Sequence, residues 1–126
     1  MKINIIFSIL MICIGYVNCF GQTVEICNIK TIVDIEKADI PVSEFTSVDT
    51  IIKGISYNLM CKCETGLIIL GNCNEKGIKE GNWRFSRGNL FITGKFRKNK
   101  MSGKWFDDPN VVTYSQGKRR RAAVVF

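Results

Sequence analysis

Downstream of Ile55 the apolar residues fall in short runs in which alternate positions are polar or small, and clusters of Gly, Asn and Lys separate the runs. A period of two between such clusters predicts strands joined as antiparallel hairpins. The apolar positions do not keep the i, i+3, i+4 spacing of an amphipathic helix, and glycine recurs too often for one. Turns are predicted at Thr65-Gly66, Gly77, Arg87-Gly88 and Asn99-Lys100. The expected fold class is mainly β: an antiparallel β-hairpin meander in which each hairpin needs its neighbour to complete the sheet.

The runs also repeat. Residues 65–86 align with residues 87–108 at an offset of 22, which matches Gly66 with Gly88, Ile68 with Leu90, Gly81 with Gly103 and Trp83 with Trp105. Residues 109–126 form a shortened third copy, with Val111 to Tyr114 as its strand and Gln116-Gly117 as its turn. With the turns placed as above, Trp83 is expected opposite Gly71, Gly81 opposite Cys73 and Gly94, Phe96 opposite Gly103, and Trp105 opposite Gly94. An aromatic ring on a neighbouring strand can cover the bare backbone of a strand glycine, so the glycines and tryptophans read as one packing device.

The same register sorts the side chains by face. Ile69, Cys73, Trp83, Phe85, Leu90, Ile92, Phe96 and Trp105 share one side. Asn72, Asn82, Arg84, Ser86, Thr93, Lys95, Arg97 and Lys104 share the other, with Leu70, Phe91 and Phe106 as apolar exceptions. The aromatic face needs a cover. Residues 22–58 are expected to supply it, and the alternative is a partner's binding groove lined by Trp83, Phe85, Phe96 and Trp105.

Residues 22–56 form a small N-terminal segment, expected to be β-rich and to pack on the sheet, ahead of a repeat domain over residues 57–126. From Thr23 to Ile35 β-branched residues partly alternate, which predicts one or two strands. Ala38 to Pro41 is a break, and Ser43 is a candidate cap for a short helix running toward Lys53-Gly54. Ile55 to Cys63 then enters the first hairpin as a strand.

Ahead of this lies an address. Lys2 precedes an apolar run from Ile5 to Gly15, and Cys19-Phe20-Gly21 places small residues where a signal peptidase reads. Residues 1–21 therefore read as a secretory signal peptide cleaved near Gly21, which would leave the mature chain periplasmic, on the cell surface or secreted. Lipoprotein anchoring at Cys19 is the second reading, weakened by Asn18 in place of a small residue. Export into an oxidising compartment makes Cys27, Cys61, Cys63 and Cys73 disulfide candidates. A thiolate metal site on these residues is the weaker alternative, because their spacing matches no common zinc pattern. In the expected register Cys73 lies on the face opposite Cys61 and Cys63, so Cys27 should pair with one of those two.

Charge changes the picture next. Residues 22–64 carry four basic and seven acidic side chains, and residues 65–126 carry thirteen and four, within a net charge of +7. The basic candidates are Lys95, Arg97, Lys98, Lys100 and Lys104, with the run Lys118, Arg119, Arg120 and Arg121. Such a surface attracts an acidic protein, an anionic membrane or polysaccharide, or nucleic acid. Nucleic acid is the weakest of these for an exported chain.

Catalysis has little to work with. The chain contains no histidine, which removes the best neutral-pH proton shuttle and any Ser-His or Cys-His nucleophile pair. Asp107 and Asp108, adjacent in a strand, point to opposite faces, and an oxidised thiol is no nucleophile. No enzyme and no cofactor is expected.

The Gly-Lys/Asn-Trp unit, the turn before it and the 22-residue period together resemble the bacterial variant of the MORN (membrane occupation and recognition nexus) repeat. The grouping is similar to the YwqK-type family, whose members are labelled toxin–antitoxin system antitoxins. The resemblance spans about residues 57–118 and rests on Gly66, Gly81, Trp83, Gly88, Gly103 and Trp105; Gly94 belongs to the same packing scheme. It implies a hairpin meander that binds a protein partner, with no catalytic residues to carry over. The third copy departs from the pattern in lacking the Gly-x-Trp unit, which makes the array short or capped.

Overall fold

The computed structural model describes residues 24–124. The expected signal sequence lies outside them. The N-terminal part departs from expectation. Thr31 has an extended backbone, its hydroxyl accepts from the Asp34 N–H, and the Asp34 carboxylate accepts in return from the Thr31 N–H. That reciprocal cap starts helix α1, Ile32–Lys37. Ile29, Ile32 and Ile35, three residues apart, are all buried. The strands expected over Thr23 to Ile35 are thus replaced by a 3-10 turn, Ile26–Asn28, and α1, because a capped apolar stripe at helical spacing outweighs β-branched propensity.

The helix expected from Ser43 is also absent. A 3-10 turn, Val42–Glu44, leads into strand β1, Thr46–Ile52. The β-branched residues there are stiff at χ1 and favour the extended chain. The segment before the sheet is consequently helical and irregular rather than β-rich, and the sheet begins at Thr46.

The strands that follow are β2 (Ile55–Lys62), β3 (Ile68–Gly71), β4 (Gly81–Arg87), β5 (Leu90–Arg97), β6 (Lys100–Asp107), β7 (Asn110–Ser115) and β8 (Lys118–Val124). All eight make a single antiparallel sheet in chain order, so the predicted meander is the architecture. No helix among the described residues is long and apolar enough to cross a membrane.

The registers refine the expectation in two ways. Phe96 pairs with Met101 rather than Gly103, and Gly81 with Phe96 rather than Gly94. The β5–β6 turn is Lys98-Asn99, with φ of 52° and 69°, the backbone twist that suits a two-residue hairpin. An irregularity between Thr93 and Lys95 then brings Thr93 opposite Phe106. Shifts of two residues keep every side chain on its face.

A shift of one does not. The β2–β3 turn closes with the Cys63 N–H donating to the Leu67 carbonyl, so Cys61 pairs with Ile69. Cys61 and Cys63 therefore join Cys73 in packing against the core, and the expectation that Cys73 opposes them is corrected.

The glycine–tryptophan device is present. A Cβ on Gly71 would lie 2.3 Å from the Trp83 ring, and one on Gly94 would lie 1.9 Å from the Trp105 ring. Each indole N–H donates to the carbonyl of the residue after its glycine, Trp83 to Asn72 and Trp105 to Lys95, both at 3.1 Å. Buried indoles need such a partner. Phe96 stands between the two rings, 5.3 Å from each, at 72° to Trp83 and 83° to Trp105.

Residues 24–45 cover this face. Ile29, Ile32, Ile35 and Ile40 form one cluster with Ile69, Trp83, Phe85, Ile92, Phe96, Trp105 and Val112, and Phe45 meets Trp83 edge-on at 5.8 Å. Glu36 of α1 fastens the far end: it accepts from the Tyr114 hydroxyl and forms an ion pair with Arg119 at 2.8 Å. Burial and then that carboxylate push the Tyr114 phenol well above its ordinary value.

Two outcomes are expected. In urea denaturation Gly94→Ala should lose about 3 kcal/mol, because the ring beneath it cannot give way. Gly88→Ala, at φ +56° with nothing within 4 Å, should lose about 1 kcal/mol. The second concerns pH. A phenol whose folded pKa is raised contributes stability that is complete below the unfolded value, about 10, and is lost as pH rises beyond it. Thermal melts between pH 8 and pH 11 should show this fall, and Tyr114→Phe should flatten it in part, leaving the share of Tyr57 and Cys61, whose ionisation burial also pushes up. An identical fall in the variant would refute the assignment to Tyr114.

Candidate ligand-binding face

The structure separates the residues that the sequence put forward for binding. Trp83 and Trp105 are 0% exposed, Phe85 is 0% and Phe96 is 5%. They are closed off by the chain's own N-terminal segment, so the alternative of an open aromatic groove is corrected. The reason is the one-sided apolar count: Ile29, Ile32, Ile35 and Ile40 have no other place to bury themselves.

The other face is open over much of β4–β7, while Leu70, which points the same way from β3, is 5% exposed. Side chains that alternate with the buried Phe85, Ile92 and Trp105 point outward, among them Arg84, Phe91, Lys95, Lys104 and Phe106. Phe91 and Phe106 are 46% and 45% exposed. The register sets Leu70, Arg84, Thr93, Phe106 and Val111 in one row across β3–β7, with Ser86 opposite Phe91 in the next. Two large aromatic rings thus sit on adjacent rows in the middle of the sheet. Ile68, also exposed, lies opposite Ser86 and extends the apolar strip.

Cations flank the strip. The Arg84 guanidinium lies over the Phe91 ring at 4.9 Å, a favourable cation–π geometry. Its Nε is buried without a hydrogen-bond partner among the described residues. Lys104, Thr113 and Arg121 form a further row, and Lys95 pairs with Asn82 and Ser102. Asp107 is the acidic residue within β4–β8, and burial, followed by the charge of Asp108, pushes its carboxyl up.

All nine basic candidates are exposed, but they do not form one patch. Arg97, Lys98 and Lys100 line a cleft of about 580 Å³ with Ser102, Tyr114, Ser115 and Gln116. This lies where the β5–β6 and β7–β8 turns meet, held by the Gly117 N–H donating to the Met101 carbonyl. Arg119 is committed to Glu36, and Lys118, Arg120 and Arg121 lie on the last strand. A face with central rings, flanking cations and a basic cleft at one end suits a ligand that offers apolar groups beside carboxylates or phosphates.

The repeat glycines act as structure. Gly81, Gly88 and Gly103 have positive φ, as does Gly66, and Gly94 makes room for Trp105. Of the cysteines, Cys27 and Cys63 are joined, while Cys61 and Cys73 are free thiols. The sulfurs of Cys27, Cys61 and Cys63 lie within 4.8 Å of one another, a distance also compatible with a metal ion, and Cys73 stands apart from them.

Phe91 and Phe106 were visible in the sequence only as exceptions on a polar face. Their signal was the mismatch itself: a large ring at a position whose neighbours two residues away are polar. No protein-family model, curated protein or solved structure matches this chain.

Proposed function

We propose that this chain is an exported, non-catalytic binding module, a MORN-variant repeat protein whose outward face takes an acidic protein partner. The observation that carries the reading is the pair of exposed rings, Phe91 and Phe106, set among Arg84, Lys95 and Lys104 on the face that the core does not use. Exposed aromatic residues beside an arginine, with lysines at the rim, match the make-up of interfaces in which a few anchors dominate binding. The Cys27–Cys63 disulfide is compatible with export. The antitoxin-like role follows the family resemblance alone and would require a target that is itself exported.

The alternative, an anionic membrane surface or polysaccharide, rests on the cleft of Arg97, Lys98 and Lys100. The two readings separate by salt and by variant. The mature chain, immobilised, should retain a protein from the envelope fraction at physiological salt. Phe91→Ser with Phe106→Ser should weaken that capture by about tenfold or more, the effect of losing one or two anchors, with little change in melting temperature. Equal capture by the folded double variant would remove the aromatic strip from the function. Binding to vesicles containing anionic lipid, abolished by Arg97→Glu, Lys98→Glu and Lys100→Glu and steeply weakened by salt, would favour the alternative.

A further inference from the structure

The most unusual chemistry in the molecule lies where the cover is joined to the sheet. Cys27, in the 3-10 turn Ile26–Asn28, is bonded to Cys63, just past the end of β2, with Cα atoms 5.6 Å apart. Cys61 sits two residues earlier on the same side of the chain, opposite Ile69. Its sulfur is a free thiol within 4.8 Å of both bridged sulfurs. A single disulfide needs two of these three cysteines, and the third adds nothing to the tether that holds the cover.

We propose that Cys27, Cys61 and Cys63 form a thiol–disulfide exchange site, in which Cys27 can be bonded to either Cys63 or Cys61. In the exchange the Cys61 thiolate attacks the Cys27 sulfur. A Cys27–Cys61 bond forms as the Cys27–Cys63 bond breaks, and the electron pair leaves on Cys63, which takes up a proton in place of the one Cys61 gave up. One disulfide and one thiol are present before and after, so no outside oxidant or reductant is needed.

The direction of attack follows from strand geometry. A bond from Cys61 to Cys63 would join positions two apart on an extended chain, roughly 6.6 Å between Cα atoms, with parallel side chains. That is the upper limit of disulfide spacing, and it is strained. Cys27 approaches from the cover and reaches both. The swap moves the tether by two residues along β2. It also pulls Cys27 from the place where its carbonyl accepts from the Thr65 hydroxyl at 3.0 Å. The thiol left behind is then Cys63, beside the turn, which is the group an incoming thiol or disulfide would meet.

Reactivity is held back at neutral pH. Burial, and then the negative charge of Glu44, push the Cys61 thiol up, so the attacking thiolate is scarce. The rate should rise about tenfold per pH unit until the thiol titrates.

The test uses the full mature chain, with free thiols alkylated after an acid quench. Lys62 lies between Cys61 and Cys63, so tryptic cleavage separates them and non-reducing peptide mapping assigns the bridge. Cys63→Ser, folded under the same mild oxidation, should carry a Cys27–Cys61 bridge in most molecules and little Cys27–Cys73. In the unmodified chain, a sample held at pH 9 should contain both isomers, while one held at pH 6 keeps Cys27–Cys63. A folded Cys63→Ser chain with Cys27 and Cys61 both fully alkylated would overturn the proposal. Should that variant not fold, the unmodified chain decides: a single Cys27–Cys63 isomer after a day at pH 9 overturns it equally.

Discussion

The contact on which the structure turns is an indole lying on a glycine of the neighbouring strand. At Gly71 and Gly94 the sheet has no side chain at all, and the rings of Trp83 and Trp105 occupy the space a Cβ would fill. Each indole N–H then donates to the next carbonyl along that strand. The ring is fixed at both ends. A flat ring on bare backbone also keeps the face low and even, so that Phe96 fits between the two indoles and a second layer can lie on top. Any side chain at those glycines would lift the rings and separate the layers.

That second layer could not hold itself together. Residues 24–45 contain one helix of six residues, well below the length at which an isolated helix is stable in water. The layer is ordered by what it lies on and by three fastenings. Its isoleucines bury against the tryptophan face. Glu36 binds Tyr114 and Arg119 across the far strands. The Cys27–Cys63 bridge, with a sequence separation of 36, restrains the unfolded chain by about 3 to 4 kcal/mol in the loop-entropy view. Asn72 adds a fastening within the sheet itself. β3 ends after four residues, and the Asn72 side-chain amide reaches Ser56 and Asn82 on the strands to either side. It continues the ladder where the short strand stops.

The strands from β2 onward were legible because alternation and turn residues are local, and so was the pairing of tryptophan with glycine, because both follow from spacing along the chain. Four things were not. Helix α1 announces itself by Thr31 with Asp34 three residues on, and by isoleucines at 29, 32 and 35, but a propensity reading of so many β-branched residues hides the cap. β1 shows the reverse error, since the β-branched run from Thr46 outweighs the capping chance of Ser43. The cysteine arrangement turned on one residue in the turn between Cys63 and Leu67. A period of two makes strand faces readable and also makes them fragile, since a slip of one residue reverses every side chain. Phe91 and Phe106 needed the third dimension: the sequence shows that they break the pattern but not that both lie on one open strip.

A meander of eight strands leaves two faces and two edges, and the chain treats each differently. One face is closed by the cover. The last strand, with Lys118 to Arg121, places cations along the free edge, where they discourage another strand from adding. Part of the basic run is thereby explained by the sheet alone, and Arg119 is further occupied by Glu36. What the sheet does not explain is the open face, where apolar rings lie outward at the centre and cations surround them. Solvent-facing strand positions ordinarily carry polar residues, and neither Phe91 nor Phe106 belongs to the buried cluster; Phe91 meets the Arg84 guanidinium instead. Both rings stand on strands whose opposite face packs in the cluster around the buried indoles. A ligand meeting them would find a surface already organised and would lose little freedom from the protein's side on binding.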